Sequence, residues 1–239
     1  EHGVEVTTFY GHASVGVLHI RPILNLKERQ GIVTLRAFQE RISDWVLEWG
    51  GAMSAEHGDG LSRSEWIGKM FGSRLVEAFG RVKAAFDPVC IMNPGKIVDA
   101  PPMDENLRYG GGYPESQVTT FFRYDEAGGF QQAVEMCSGV GQCRKKLVGT
   151  MCPSYMATLE EAHSTRGRAN ALRAALSGDL PGDGLDSDEL YEVMDLCLEC
   201  KACKAECPSS VDMAKLKYEF LAQYHDKRGY PLRSHLFAR

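Results

Sequence analysis

Four cysteines, Cys197, Cys200, Cys203 and Cys207, occupy one short run, and Pro208 follows the last of them. The spacing C-x2-C-x2-C-x3-C-P is that of thiolates around cubane iron–sulfur clusters, in which three hold one cluster and the fourth, before proline, reaches a second. A cubane presents its iron corners close together, so thiolates two or three residues apart on one loop reach different irons without straining the backbone. Upstream stand Cys137, Cys143 and Cys152, the last again followed by a proline, Pro153. By the crossed rule, Cys197, Cys200 and Cys203 with Cys152 hold one [4Fe-4S] cluster, and Cys137, Cys143 and Cys207 belong to a second. That second site is irregular: Val140 stands where its fourth thiolate is expected, and the interval from Cys143 to Cys152 is longer than usual. A second [4Fe-4S] cluster with a non-cysteine ligand such as His163, or a [3Fe-4S] cluster, are the alternatives.

Other fates of these thiols fit less well. Disulfides are disfavoured in a compartment that keeps thiols reduced. Structural zinc usually closes one tetrahedron from two separated ligand pairs, whereas here four thiols crowd into one run with a three-thiol partner set. Cys90, alone in a short apolar stretch, reads as a buried small hydrophobe rather than a ligand.

A second constellation lies in the first half. His12 and His19 flank an expected hairpin turn, and Glu56-His57-Gly58-Asp59-Gly60 occupies a loop after the first expected helix. Two imidazoles and a carboxylate suit a divalent metal such as zinc, manganese or iron, with positions left for substrate. On spacing alone, two histidines near a turn are more often surface or core residues.

The elements that must position these groups follow from hydrophobic period. Residues 4 to 23 alternate as a β-hairpin around a small-residue turn at Gly11 to Ser14. Leu35, Phe38, Ile42, Val46 and Trp49 recur at helical spacing between Ile32 and Trp49, and Gly50-Gly51 ends that helix. A helical stretch from Ser64 to Phe86, interrupted near Gly72, is stopped by Asp87-Pro88. Pro and Gly then become dense up to Gly112, which predicts a linker at 106–120 between units 1–105 and 121–239. The second unit should carry helices at 165–176, 187–198 and 211–224, with a polar turn segment at 177–188. Arg166 and Arg168 should mark a solvated or salt-bridged helix start after the N-cap candidates Ser164 and Thr165, with tuning of a cluster potential by their charge as the alternative.

Several of these motifs carry a family resemblance. Gly11-His12 with Leu18-His19-Ile20, Ala55-Glu56-His57-Gly58-Asp59-Gly60, and Phe86-Asp87-Pro88 with Asn93-Pro94-Gly95-Lys96 resemble the C-terminal domain of FAD-linked oxidases of the D-lactate, D-2-hydroxyglutarate and glycolate dehydrogenase type, over roughly residues 3 to 100. Cys152-Pro153-Ser154-Tyr155, Arg166-Gly167-Arg168-Ala169 and the Cys197 run resemble the iron–sulfur portion fused to such oxidases. The resemblance implies an α+β fold: the C-terminal cap part of an FAD-linked oxidase, with antiparallel strands and helices, followed by an all-α ferredoxin-like iron–sulfur domain. It implies that His12, His19 and Glu56 hold the metal, that His57 is the general base, and that hydride passes to a flavin whose electrons leave through the clusters. It also places Asn93 and Lys96 near the flavin or its domain, with loop capping as the alternative role. Relatives carry Gly-Asp-Gly-Asn between the histidines and an Asn past the second; here Ala13-Ser14-Val15-Gly16 and Arg21 stand there. Arg21 would suit a second substrate carboxylate by a bidentate pair, and a surface or structural arginine is the competing reading.

The 239 residues, with 44% hydrophobic content, belong to the globular class, and a net charge of −5 provides no basic field for nucleic acid. No apolar stretch approaches the roughly 20 residues of a membrane span, so the chain reads as cytoplasmic, with peripheral contact to the inner membrane left open. A start without Met inside a strand pattern, and an end without a structural stop, lead us to expect a fragment of a longer polypeptide. No dinucleotide-type phosphate loop is present: Gly110-Gly111-Gly112 lacks the flanking strand and helix. FAD would therefore be bound mainly by a domain outside this sequence, and the chain alone would be inactive. The expected partners are a small 2-hydroxy acid, an electron acceptor (quinone or redox protein), and the remainder of the polypeptide or a flavoprotein subunit. Competing readings are a non-catalytic iron–sulfur electron-transfer subunit that docks on a separate flavoprotein, and a zinc-stabilised interaction module.

Overall fold

The structure is a computed structural model and describes residues 6–180 and 184–237. Val4 and Glu5 of the expected first strand, and 181–183 of the expected polar turn, lie outside the described residues. The chain divides into two compact units, one ending at Tyr113 and the other starting at Pro114.

The first unit opens with strands β1 (Thr7–His12) and β2 (Val17–Pro22), paired antiparallel. The turn falls later than the small-residue cluster predicts. Gly16 holds the left-handed conformation (φ 68°) that closes the connection, so Gly11 and His12 belong to β1 and not to the turn. Helix α1 (Arg29–Glu48) follows and ends before Gly50 at φ 65°. The stretch beyond the Gly58–Gly60 loop is segmented into α2 (Gly60–Arg63), a 3-10 turn (Ser64–Trp66), α3 (Ile67–Phe71) and α4 (Ser73–Phe86), with Gly72 at the expected break.

Polar ties hold these helices together. Arg36 of α1 pairs with Glu65 and, at 2.5 Å, with Asp104, while Glu65 accepts the Met103 N–H at 2.7 Å. Lys69 of α3 bonds Asp44 (2.6 Å) and the Ser43 hydroxyl (2.7 Å) on α1. Apolar burial is sparse: Trp66, Ile67 and Met103 are the buried hydrophobics among the unit's described residues.

The second unit is helical: α5 (Phe130–Glu135), α6 (Pro153–Thr158), α7 (Thr165–Leu176), α8 (Asp188–Asp195), α9 (Ala202–Glu206), α10 (Met213–Arg228) and α11 (Leu232–Phe237). Side chains cap three of them. Ser164 accepts from Gly167, Ser187 from Leu190 and Asp212 from Lys215, which satisfies backbone donors otherwise left orphaned. One continuous core joins Phe130, Val134, Leu172, Met194, Val211 and Phe220, and Cys137, Cys143, Cys152 and Cys203 are set into it. Among the described residues, no helix is long and apolar enough to cross a membrane.

Candidate metal and cluster sites

The hairpin register puts His12 opposite Val17 and His19 opposite Tyr10. His12 and His19 are therefore diagonal neighbours on one face, with ring centroids 5.1 Å apart. The loop after α1 brings Glu56 to them. Its Oε1 lies 2.9 Å from His19 Nε2, 3.4 Å from His12 Nε2 and 3.1 Å from His57 Nε2. The ligand atoms of His12, His19 and Glu56 all lie within 4.8 Å of one another. The two imidazole nitrogens of His12 and His19 with the Glu56 carboxylate form a donor set that a divalent cation fits. His19 is the most enclosed of the imidazoles and His57 the most open.

A cleft of ≈ 360 Å³ beside these groups is lined by Val17, Leu18, His19, Glu56, His57 and Arg63, among others. Arg63, which sequence reasoning passed over, is fixed by donating from Nη1 to the Gly58 carbonyl at 3.1 Å. Its signal was its place five residues past Gly58, in the short helix that follows the Glu56 loop. Arg21 is exposed, two residues beyond His19 on the same strand face, and is not among the residues lining the cleft. Asn93 and Lys96 also lie outside it, in a loop where Asn93 has φ 46° and Lys96 donates to the Pro94 carbonyl at 3.4 Å. Cys90 is exposed, a correction to the buried role expected: the loop it occupies is tied down by polar bonds from Ile91 and Met92 N–H to the Asp87 carboxylate and not by apolar packing.

In the second unit the cysteines separate into two sets. One cavity is lined by Cys152, Cys197, Cys200 and Cys203 together with Arg168, the other by Cys137, Cys143 and Cys207 together with Val140. The loops that deliver them share a backbone pattern. Glu199 (φ 56°) and Lys201 (φ 60°) bracket Cys200, as Gly139 and Gly141 (both φ 80°) bracket Val140. Left-handed residues on either side fold each loop so that its first and last cysteines face one cavity. Glu199 and Lys201 adopt this conformation despite carrying side chains, a cost found where function demands it. Val140 thus holds in its loop the place that Cys200 holds in the other. His163 does not line the Val140 cavity; its ring bonds the Thr158 hydroxyl at 2.9 Å and its carbonyl accepts from Ser154 and Arg168.

Burial pushes the Cys143, Cys197 and Cys203 thiols up. Cys152 goes the other way: burial opposes its thiolate, but hydrogen bonds from Ser154 and Tyr155 and the charge of Arg168 outweigh it and hold the thiol below its ordinary range. Arg166 forms the salt bridge expected of it, with Glu161 at 2.7 Å. Arg168 is a correction: it is fully buried, because α7 turns its second arginine into the core beside Cys152.

Comparison with known proteins agrees with this layout. Residues 1–97 match the C-terminal domain of FAD linked oxidases, and residues 132–211 match the 4Fe-4S dicluster domain. The chain joins the C-terminal domain of an FAD linked oxidase to a 4Fe-4S dicluster domain. Among curated proteins it is 31% identical to a D-2-hydroxyglutarate dehydrogenase of Escherichia coli K12, across 99% of this chain and 26% of that protein. It is 32% identical to the Pseudomonas putida enzyme of the same name, across 95% of this chain and 26% of that one. A D-lactate dehydrogenase of Anaerostipes hadrus is 34% identical across 37% of this chain and 19% of its own length. The chain thus spans about a quarter of the length of the first two relatives. No solved structure matches. The two modules are those of FAD and 4Fe-4S chemistry, and the orphaned Nη2 of Arg168 beside four cavity-lining thiols fits an anionic group there.

Proposed function

We propose that this chain supplies the substrate-holding centre and the electron outlet of a flavin-dependent dehydrogenase that oxidises a D-2-hydroxy acid to the 2-oxo acid, with a dicarboxylic substrate of the 2-hydroxyglutarate class favoured. The convergence of three imidazoles on one Glu56 oxygen carries this reading. When bound, a divalent metal polarises the substrate's hydroxyl, FAD accepts the hydride, and iron–sulfur clusters pass the electrons on singly toward a quinone or redox protein. His12, His19 and Glu56 hold the cation. His57 takes the hydroxyl proton on Nε2, since this imidazole lies beside the centre and is the most open to solvent of the three. Arg63 pairs with the distal carboxylate through its guanidinium fork, and Arg21 lies farther out on the same strand face.

In the second unit, Cys152, Cys197, Cys200 and Cys203 hold a [4Fe-4S] cluster. Cys137, Cys143 and Cys207 hold a second, three-cysteine cluster, for which the shared loop pattern around Val140 favours [3Fe-4S]. The segment 106–120 links the two functions. The names of the full-length relatives support the substrate class, and Arg63 in the cleft supports a second carboxylate.

The test uses this chain together with a flavin-bearing portion of such a dehydrogenase. His57→Ala should abolish flavin bleaching by D-2-hydroxyglutarate while dithionite still reduces the clusters and the bound metal is retained. Flavin bleaching at the unmodified rate in that variant would contradict the assignment of the base.

A further inference from the structure

Arg168 is a charged side chain with no exposed surface. Its Nε donates to the Val193 carbonyl at 2.9 Å, and its Nη1 to the His163 carbonyl at 2.6 Å and the Ser154 hydroxyl at 3.0 Å, with the Cys152 sulfur at 3.7 Å. The three oxygen acceptors are neutral. Among the described residues, no carboxylate pairs with it, and its Nη2, fully buried, has no partner. An isolated buried guanidinium is costly, and a protein retains one where a counter-charge meets it. The buried Lys217 offers a contrast: its ammonium is neutralised by Glu199 at 3.0 Å and also donates to the carbonyls of Asp195 and Cys197. Arg168 faces the cavity of Cys152, Cys197, Cys200 and Cys203.

We propose that Arg168 is the built-in counter-charge of the cluster held by Cys152, Cys197, Cys200 and Cys203, and that it raises that cluster's reduction potential by charge and by N–H donation toward sulfur. The proposal rests on the cluster assignment above. A cluster held by four thiolates is anionic, and its potential is set by net charge, hydrogen bonds to sulfur and solvent exposure. Reduction adds one electron to the iron–sulfur core from a solution reductant such as dithionite; no bond forms or breaks and no proton moves. A fixed cation buried beside these thiols favours that more negative state. Arg168 is thus a positioning and tuning residue. The other cavity is lined by Arg166, but among the described residues that guanidinium is already paired with the Glu161 carboxylate at 2.7 Å, so its charge is compensated within the protein.

The experiment is an anaerobic EPR-monitored redox titration of the cluster-loaded 239-residue chain and its variants, after iron and sulfide analysis of the unmodified protein. Cluster-free unmodified protein would remove the underlying assignment, whereas a loaded cluster with unmoved potential would remove only the role of Arg168. Arg168→Gln should lower the midpoint of the four-cysteine cluster by at least ~59 mV, a tenfold change in its one-electron equilibrium. Arg168→Lys should keep most of the potential, and Arg228→Gln, which removes a surface cation, should leave it in place. If Arg168→Gln cannot be loaded, a loaded Arg168→Lys with a near-normal potential upholds the counter-charge role. A midpoint in Arg168→Gln equal to that of the unmodified chain overturns the proposal, and so does loss of this cluster from both variants while the other is retained, because Arg168 would then be a packing element.

Discussion

His12 and His19 stand on a two-stranded hairpin whose apolar side chains, Phe9, Tyr10, Leu18 and Ile20 among them, are exposed. Cys137, Cys143, Cys152 and Cys203 are set into a core that includes Leu172, Met194 and Phe220, all with no exposed surface. Both units bring chemically matched side chains together, but by different means. Two strands alone are marginally stable, and in the first unit ion pairs and one carboxylate organise the site. In the second, apolar burial holds the cysteine loops before any cofactor is considered. The ordering of the first centre should therefore depend on its ligand far more than that of the second.

Core truncation separates the two most sharply. Leu172→Ala should cost the second unit about 2–5 kcal/mol and impair cluster retention, while Val33→Ala on the half-exposed face of α1 should change stability by less than about 0.5 kcal/mol. Urea unfolding followed by circular dichroism reads both, and equal costs would erase the contrast. Ligand dependence comes next. A divalent cation at about 100 times its Kd should stabilise the first unit by about 2.7 kcal/mol, an effect that His19→Ala removes, with little change in the second unit. Calorimetry with zinc or manganese would sharpen the comparison, and it would break if both units responded alike.

The smallest effect concerns acid. Arg166, with Arg144, holds the Glu161 carboxyl below its usual range. A carboxyl depressed in the folded state contributes stability above its unfolded value, roughly pH 4.3, and that contribution disappears as the pH falls through the folded value. The pair is partly exposed, so the contribution is under about 1 kcal/mol. Arg166→Gln should lower stability at neutral pH by that amount and leave it unchanged near pH 2.

Much of this arrangement is legible in the residues themselves. The cysteine spacing foretells two thiol sets because ligand intervals are a local property of the chain. Helices at 165–176, 187–198 and 211–224 can be expected from their period and caps, and the observed bounds differ by a few residues at the ends. The hairpin turn was misplaced by small residues: left-handed backbone at Gly16 decides the turn, and the clustering of Gly11, Ala13 and Ser14 does not. Arg168 could not be told from Arg166 by sequence. Two arginines on one helix start differ only through which one α7 points into the core, and that depends on packing against Cys152, Ser154 and Val193. Gly167 between them permits that packing, since a Cβ there would lie 2.0 Å from the Glu161 carbonyl oxygen. Arg63 was likewise hidden, because its relation to the histidines arises from the meeting of a loop and a hairpin far apart in sequence.

The measurement that tests the account most directly is anaerobic iron, sulfide and zinc analysis with EPR on the isolated chain. The account predicts about seven irons with a comparable amount of sulfide, a three-iron signal on oxidation, and loss of only the four-iron centre in Cys200→Ser. Stoichiometric zinc without sulfide, in colourless protein, would contradict it.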